Sequence, residues 1–239
     1  MPIDFVAADG RPDSQGCRPP PCAFDPHGAL GYFPPMAETL SLFATRIHRA
    51  ARARAGALNS DIIAAALSFA ADDEYGRAWS AENSYPGYTS YGSPLDLPSM
   101  APCFATLKKF IDAQAAAFAA SVHFDLAGGK LKLDNIWINI LDPGGFHSGH
   151  IHPHSVISGT YYARVPDGAS ALKFEDPRLA MMMAAPTRAP NAPEDLKPFI
   201  YLPPRAGSLL MWESWLRHEV VRNEAEEARI SVSFNYNWG

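Results

Sequence analysis

The stretch LKLDNIWINIL, residues 131–141, alternates apolar and polar side chains as a β-strand with one buried face does. Seven further strand-like runs follow it, separated by short turns rich in Gly and Pro. These runs are SGHIH, ISGTYYARV, ALKF, PFIYLP, GSLLMW, RHEVV and RISVSFNYN. Many short strands with such turns are typical of a sandwich or a barrel and not of alternating βαβ units.

The chain before this β region has a different composition. Residues 1–35 are rich in Pro, Gly and Asp and show no periodic apolar pattern, which predicts an irregular arm. The pattern of residues 36–127 predicts helices that support the β region and an aromatic loop. We therefore expect a single α+β domain, mainly β, whose β core occupies residues 130–239.

Three helices are predicted in the supporting region. The first ends at Gly56, and the second begins at Asn59 or Ser60, either of which can cap it. The third spans residues 102–122. Residues 75–100 are too irregular for a regular element and too aromatic for a free linker, so we expect an ordered loop. The apolar residues at helical spacing in the first helix are Leu40, Phe43, Ile47 and Ala51.

Charge and cysteine usage narrow the functional classes. The net charge of −5, without a dense basic cluster, gives no reason to expect nucleic acid or an anionic membrane as a partner. Neither a secretory signal nor a run of 18 apolar residues is visible. The three cysteines, Cys17, Cys22 and Cys103, are poorly spaced for a disulfide framework. We therefore expect a cytoplasmic protein with reduced thiols, and we leave open whether it is a homodimer.

Four of the eight histidines lie between His147 and His154, after the turn at Pro143. On a strand, His150 and His152 would point to the same face because the side-chain period is two. Such a pair can supply two imidazole ligands to a metal, or it can be a polar pair on an exposed strand. We expect the first and the last of the four histidines to lie at a rim or in solvent.

A metal site needs a further ligand, and His218 begins a later strand-like run. Two neighbouring ligands early in a jelly-roll and one histidine late in it form the layout of a facial iron site. Three ligands on one face leave coordination positions open for a co-substrate and oxygen. A lone His218 could equally be a core histidine, so the metal prediction depends on its combination with His150 and His152.

Arg229 and Ser231 would share one face of the last strand. An inward Arg is costly unless it meets an anion, and a guanidinium binds a carboxylate through two hydrogen bonds. The alternative is a surface Arg that forms a salt bridge in the preceding turn, where Glu224, Glu226 and Glu227 lie.

The stretch from Asn135 to Asn237 resembles the 2-oxoglutarate–Fe(II) oxygenases, in particular a bacterial and phage subfamily. The pattern runs N-x-W, then H-x-H-P, then S-G-x-Y-Y. The matching residues are Asn135, Trp137, His150, His152, Pro153, Ser158, Gly159, Tyr161, Tyr162, Phe174, Asp176, Pro177, Gly207, Trp215, His218, Arg229, Phe234 and Asn235. The preceding half of the chain matches mainly through GYTSY, residues 87–91.

This resemblance implies a double-stranded β-helix, a jelly-roll or cupin-like barrel backed by helices. It implies Fe(II), 2-oxoglutarate and O₂ as cofactor and co-substrates, with His150 and His218 as iron ligands. The implied reaction couples the oxidative decarboxylation of 2-oxoglutarate to the hydroxylation of a C–H bond.

The resemblance also implies how the co-substrate is held. Arg229 and Ser231 would bind the distal carboxylate of 2-oxoglutarate. Tyr162 would assist them, with Tyr161 as the alternative if the register differs by one residue. Asn139 would contact the other end of the co-substrate.

The sequence departs from this family at His152, since most members have Asp or Glu there. Either three histidines hold the iron, or a carboxylate from Asp142, Glu175 or Glu213 completes the site. The three-histidine set also allows a cupin-type thiol dioxygenase that uses no 2-oxoglutarate, although the Glu of the cupin motif is absent near Val156. A barrel that binds a metal or ligand without turnover is the third alternative.

The expected substrate is a small molecule, an amino acid or a peptide. The expected walls of its pocket are the aromatic loop 75–100, the Pro- and Met-rich segment 176–197, and Trp212 or Trp215.

Overall fold

The computed structural model describes residues 37–239. Residues Phe43–Gly239 form one compact unit. Residues 37–42, which contain no helix or strand, belong to a separate unit. The strands are β1 (Ile47–Ala51), β2 (Gly87–Thr89), β3 (Leu131–Leu141), β4 (His147–His150), β5 (Ile157–Arg164), β6 (Leu172–Glu175), β7 (Phe199–Leu202), β8 (Ser208–Glu213), β9 (His218–Val220) and β10 (Arg229–Trp238). The helices are α1 (Gly56–Asp72), α2 (Glu74–Glu82), α3 (Leu97–Met100) and α4 (Pro102–Ser121).

The strands form two antiparallel sheets. The larger sheet has the order β1-β8-β5-β10-β3-β2, and the smaller sheet has the order β4-β9-β6-β7. Each of the eight predicted strand runs is a strand, β3 to β10, and four of them lie in each sheet. This arrangement is the double-stranded β-helix, so the predicted fold class is confirmed.

The helices cover one face of the larger sheet. On β3, Ile136, Ile138 and Ile140 point to this face and join a core with Leu107 and Phe118 of α4. The intervening residues of β3 point to the opposite face, because side chains alternate along a strand. The large sheet therefore has an apolar outer face for stability and an inner face that is free to carry polar groups.

The prediction of a first helix, ending at Gly56, is wrong. Residues 47–51 form β1, which pairs with β8 so that Ile47 lies opposite Trp212 and Ala51 opposite Ser208. A short apolar run does not distinguish a helix from a strand, and pairing with a sheet edge far along the chain decides here. Gly56, predicted as a helix end, instead begins α1. The third predicted helix is confirmed as α4.

The aromatic segment 75–100 is more regular than predicted, since it contains most of α2, all of β2 and α3. Asp73 caps α2 by accepting a hydrogen bond from the backbone N–H of Gly76 at 3.0 Å. Cys103 is buried with a free thiol, whereas Cys17, Cys22 and the predicted arm lie outside the described residues. In the part of the chain that the structure describes, no helix has the length and apolarity to cross a membrane.

Candidate active site

A pocket lies between the two sheets. Its walls come from both sheets and from the aromatic segment. The lining residues are Tyr85, Trp137, Asn139, Leu141, His147, His150, His152, Ser158, Gly159, Thr160, Tyr162, Leu172, Trp212, His218, Val220, Arg229, Ser233 and Phe234. Histidines and an arginine therefore share a cavity whose other walls are mainly aromatic, aliphatic and hydroxyl-bearing.

Three histidines converge in this pocket. His150 ends β4 and lies directly opposite His218, which begins β9. His152 follows the end of β4 by two residues, so the prediction that it lies on the strand is wrong. Its backbone N–H donates to the carbonyl of Ser214 at 3.0 Å, and this contact holds the turn. One ring nitrogen from each histidine lies within 4.8 Å of the others, as ligands of one metal ion require.

The protonation states suit a metal. His150 Nδ1 donates to the carbonyl of Ser148 at 2.8 Å, and His218 Nδ1 donates to the carbonyl of Leu216 at 2.9 Å. Both Nε2 lone pairs are therefore free. Burial lowers the pKa of all three rings, that of His152 to about 4 and that of His218 to about 2. Neutral imidazoles with a free Nε2 fit Fe(II).

No carboxylate lines the pocket among the residues that the structure describes. Asp142 is exposed, and Glu175 faces Arg217 at 3.3 Å. Glu213 ends β8 and is half-buried away from the pocket lining. The alternative in which one of these side chains completes the site thus finds no support, and the group of described residues that could hold a metal ion consists of three histidines.

Arg229 lies in the wall of the same pocket and is buried. Its Nη1 donates to the carbonyl of Ser170 at 3.1 Å, but its Nε has no hydrogen-bond partner. No carboxylate of residues 37–239 forms a salt bridge with it, so the alternative of a surface salt bridge with the glutamates of the preceding turn is wrong. The guanidinium carbon lies 5.5 Å from the ring centroid of Tyr162, whose hydroxyl is also buried and unpartnered.

Of the remaining predicted residues, Asn139 and Tyr162 line the pocket, whereas Ser231 and Tyr161 do not. Asn139 lines the pocket and donates to Ser233 Oγ at 3.0 Å. Ser231 is paired with Asn139 and with Tyr162 in the sheet, but its side chain is not part of the pocket wall. Tyr161 points to the helices instead and donates to Asn59 at 2.6 Å, so Tyr162 is the member of this pair that lines the pocket.

His147 and Tyr85 are among the pocket residues that were not predicted as site residues. His147 was expected at the rim, but it lines the pocket, and its ring centroid lies 4.4 Å from that of His150. The spacing of three would put them on opposite faces of a regular strand. A β-bulge between them restores a common face, and the sequence gives no signal for it. Tyr85, in the predicted wall segment, donates to Asn139 Oδ1 at 3.4 Å.

Only some of the other residues predicted to form the pocket walls line the pocket. Trp212 lines the pocket, and its ring centroid lies 4.6 Å from that of His218. Trp215 is half exposed and is not in the wall. The 176–197 segment contributes no lining residue either, because it leaves the smaller sheet between β6 and β7.

Residues 135–235 match the protein family described as "Putative 2OG-Fe(II) oxygenase". These residues, fewer than half of the chain, are similar to that family. The match includes all three histidines and Arg229. It confirms the predicted family, an oxidoreductase that uses Fe(II) and 2-oxoglutarate.

Solved structures with a similar fold include two prolyl hydroxylases and an epimerase. A Pseudomonas putida prolyl-4-hydroxylase is 15% identical with a TM-score of 0.51, covering 81% of this chain and 92% of its own. The epimerase SnoN from nogalamycin biosynthesis, in complex with Fe3+, alpha ketoglutarate and nogalamycin RO, is 14% identical with a TM-score of 0.55, covering 81% and 79%. The collagen prolyl hydroxylase of Paramecium Bursaria Chlorella virus-1 is 12% identical with a TM-score of 0.51, covering 84% and 96%. At these identities the likeness establishes the fold. The comparison with curated proteins found no match.

Proposed function

We propose that the protein hydroxylates a small molecule, an amino acid or a peptide, with iron held by His150, His152 and His218. The proposal rests mainly on Arg229, which lies in the wall of the pocket that holds the three histidines. Arg229 is a buried cation, and no carboxylate is paired with it among the described residues. Leaving a buried charge unpaired is strongly unfavourable, so a ligand that supplies a carboxylate is expected there.

The charges of the pocket support the same co-substrate. Three neutral imidazoles leave the full charge of Fe(II) uncompensated, and Arg229 adds another positive charge. No Asp or Glu of residues 37–239 lines the pocket to balance them. 2-Oxoglutarate is a dianion, with one carboxylate for the metal and one for the guanidinium.

The chain's own residues would orient this co-substrate. The free Nε of Arg229 and the hydroxyl of Tyr162 are donors without partners, and both can serve the distal carboxylate. Ser231 would add a hydroxyl after a change of rotamer, and Asn139 would contact the other end. When bound, the iron and 2-oxoglutarate supply the oxidation, while Trp137, Trp212 and Phe234 keep water away from it.

The proposed substrate class rests on the small number of charged residues in the pocket. Apart from Arg229 and the histidines, its lining residues are uncharged. A polyanionic substrate would need more cations, so a compact neutral or zwitterionic group suits the site best.

Anaerobic reconstitution with Fe(II), followed by addition of O₂, tests this function. We expect succinate formation that requires 2-oxoglutarate and no O₂ uptake driven by thiols alone. Thiol-dependent O₂ uptake without 2-oxoglutarate would instead establish the three-histidine thiol dioxygenase. Absence of both activities, together with tight metal binding, would establish a binding barrel without turnover.

A further inference from the structure

The three histidines differ in what holds the ring nitrogen that faces away from the metal position. His150 and His218 each donate Nδ1–H to the carbonyl of the residue two positions before them. A backbone carbonyl can only accept, so the tautomer of these rings is fixed. His152 Nδ1 faces a side chain instead, the amide nitrogen of Asn235 at 3.5 Å. An amide can donate or accept at this position, depending on its orientation.

A closed polar network stands behind this amide. Asn235 Oδ1 accepts from Ser158 Oγ at 2.8 Å, and Ser158 Oγ lies 2.8 Å from Ser214 Oγ. The carbonyl of the same Ser214 accepts from the backbone N–H of His152 at 3.0 Å. Asn235, Ser158 and Ser214 are all buried. Rotation of the two hydroxyls and a flip of the amide allow two hydrogen-bond directions through this network.

Only one of these directions is compatible with His152 as a metal ligand. If Asn235 donates to Nδ1, the proton of the neutral ring lies on Nε2, which then cannot bind a metal. If the amide is flipped, Asn235 Oδ1 accepts from Nδ1–H and leaves Nε2 free. The amide nitrogen then donates to Ser158 Oγ, whose own hydroxyl donates to Ser214 Oγ.

We propose that Asn235 is the positioning residue that makes His152 a metal ligand, by accepting its Nδ1–H through Oδ1 while Ser158 and Ser214 hold the amide in that orientation. This inference rests on the proposed function, because it assigns His152 to the metal. It also explains how a neutral ring can serve where most members of the family have a carboxylate. A side chain 83 residues away supplies the acceptor that His150 and His218 obtain from the backbone.

Co(II) titration of the purified protein, monitored by its visible absorption, tests the proposal without turnover. We expect Asn235→Leu to weaken Co(II) binding roughly 10–100-fold, the usual effect of removing the partner of a metal-bound histidine. Asn235→Asp keeps an acceptor for Nδ1–H and should bind Co(II) at least as tightly as wild type. Asn237→Leu, on the same strand and outside the pocket, is the matched control and should bind like wild type.

Nitrogen-15 NMR of the histidine rings supplies a readout that a structural role would not move. In the metal-free wild type, His152 should carry its proton on Nδ1, and in metal-free Asn235→Leu this tautomer should lose its preference. Ser158→Ala tests the network if Asn235→Leu fails to fold. It should weaken Co(II) binding several-fold, because the amide loses the partner that orients it.

Wild-type Co(II) affinity in a folded Asn235→Leu would overturn the inference, and so would equally weak binding by Asn235→Leu and Asn235→Asp. Neither result would affect the proposed function if 2-oxoglutarate still perturbed the Co(II) spectrum of the wild-type protein. Failure of the wild-type protein to bind Co(II) would overturn both.

Discussion

The two faces of the larger sheet are built from the same strands but differ in how completely their groups are satisfied. The face against α1 and α4 carries apolar side chains such as Ile138 and Val232, which are fully buried. The inner face carries Arg229 and Tyr162, each with a buried donor that has no partner. The outer face therefore stabilises the fold, whereas the inner face has unpaired donors that a ligand can satisfy.

The largest expected effect is on the inner face, at the metal. His218→Ala should lower Fe(II) affinity by more than about 100-fold, because it removes a ligand and not merely its partner. The chain should still fold, since the core against the helices is untouched. Equilibrium dialysis with Fe(II) under anaerobic conditions measures the affinity. Wild-type affinity in this variant would show that His218 is not a ligand.

A change on the outer face should lower stability and leave metal binding intact. Ile138→Ala should lower the free energy of unfolding by about 2–5 kcal/mol, the usual cost of a cavity in a packed core. Urea unfolding of the metal-free protein measures it, with the exposed Leu67→Ala as control, expected to change by less than about 0.5 kcal/mol. If Ile138→Ala also abolished metal binding in the folded protein, the two faces would not be separable.

Acid should destabilise the protein through the inner face. Burial lowers the pKa of His147 and of His152 to about 4, while an unfolded histidine titrates near 6.5. Between these values the unfolded chain binds more protons, so the free energy of unfolding should fall as the pH drops from about 6.5 to 4. Urea unfolding without metal measures this slope. His147→Gln should flatten it, and an unchanged slope would contradict the burial of a neutral ring.

The smallest effect is expected at Ser231. Loss of one neutral hydrogen bond costs about 0.5–1.5 kcal/mol, so Ser231→Ala should weaken 2-oxoglutarate binding about 2–10-fold. Calorimetry with the Co(II)-loaded protein measures the affinity. Unchanged binding would mean that the hydroxyl stays in the sheet interior when the co-substrate is bound.

The sequence predicts the β core well, because alternation in β3 to β10 is a local pattern. It fails at β1, where pairing with β8 decides the structure of a short run that could also form a helix. It identifies the three histidines that converge in the pocket through their residue types, although His152 lies beyond the strand. It misses His147 because a β-bulge is not encoded in the side-chain period. It could not exclude a salt bridge for Arg229, since glutamates are close in sequence and only the fold directs the side chain inward.

The affinity of the Co(II)-loaded protein for 2-oxoglutarate, compared between wild type and Arg229→Met, tests whether Arg229 binds the co-substrate. Charge-assisted hydrogen bonds contribute about 1.5–3 kcal/mol each, so the account predicts a loss of roughly 100-fold, with wild-type affinity in the exposed control Arg205→Met. Metal affinity and folding should be retained. Equal affinity for 2-oxoglutarate in wild type and Arg229→Met would contradict the assignment of this buried cation to the co-substrate.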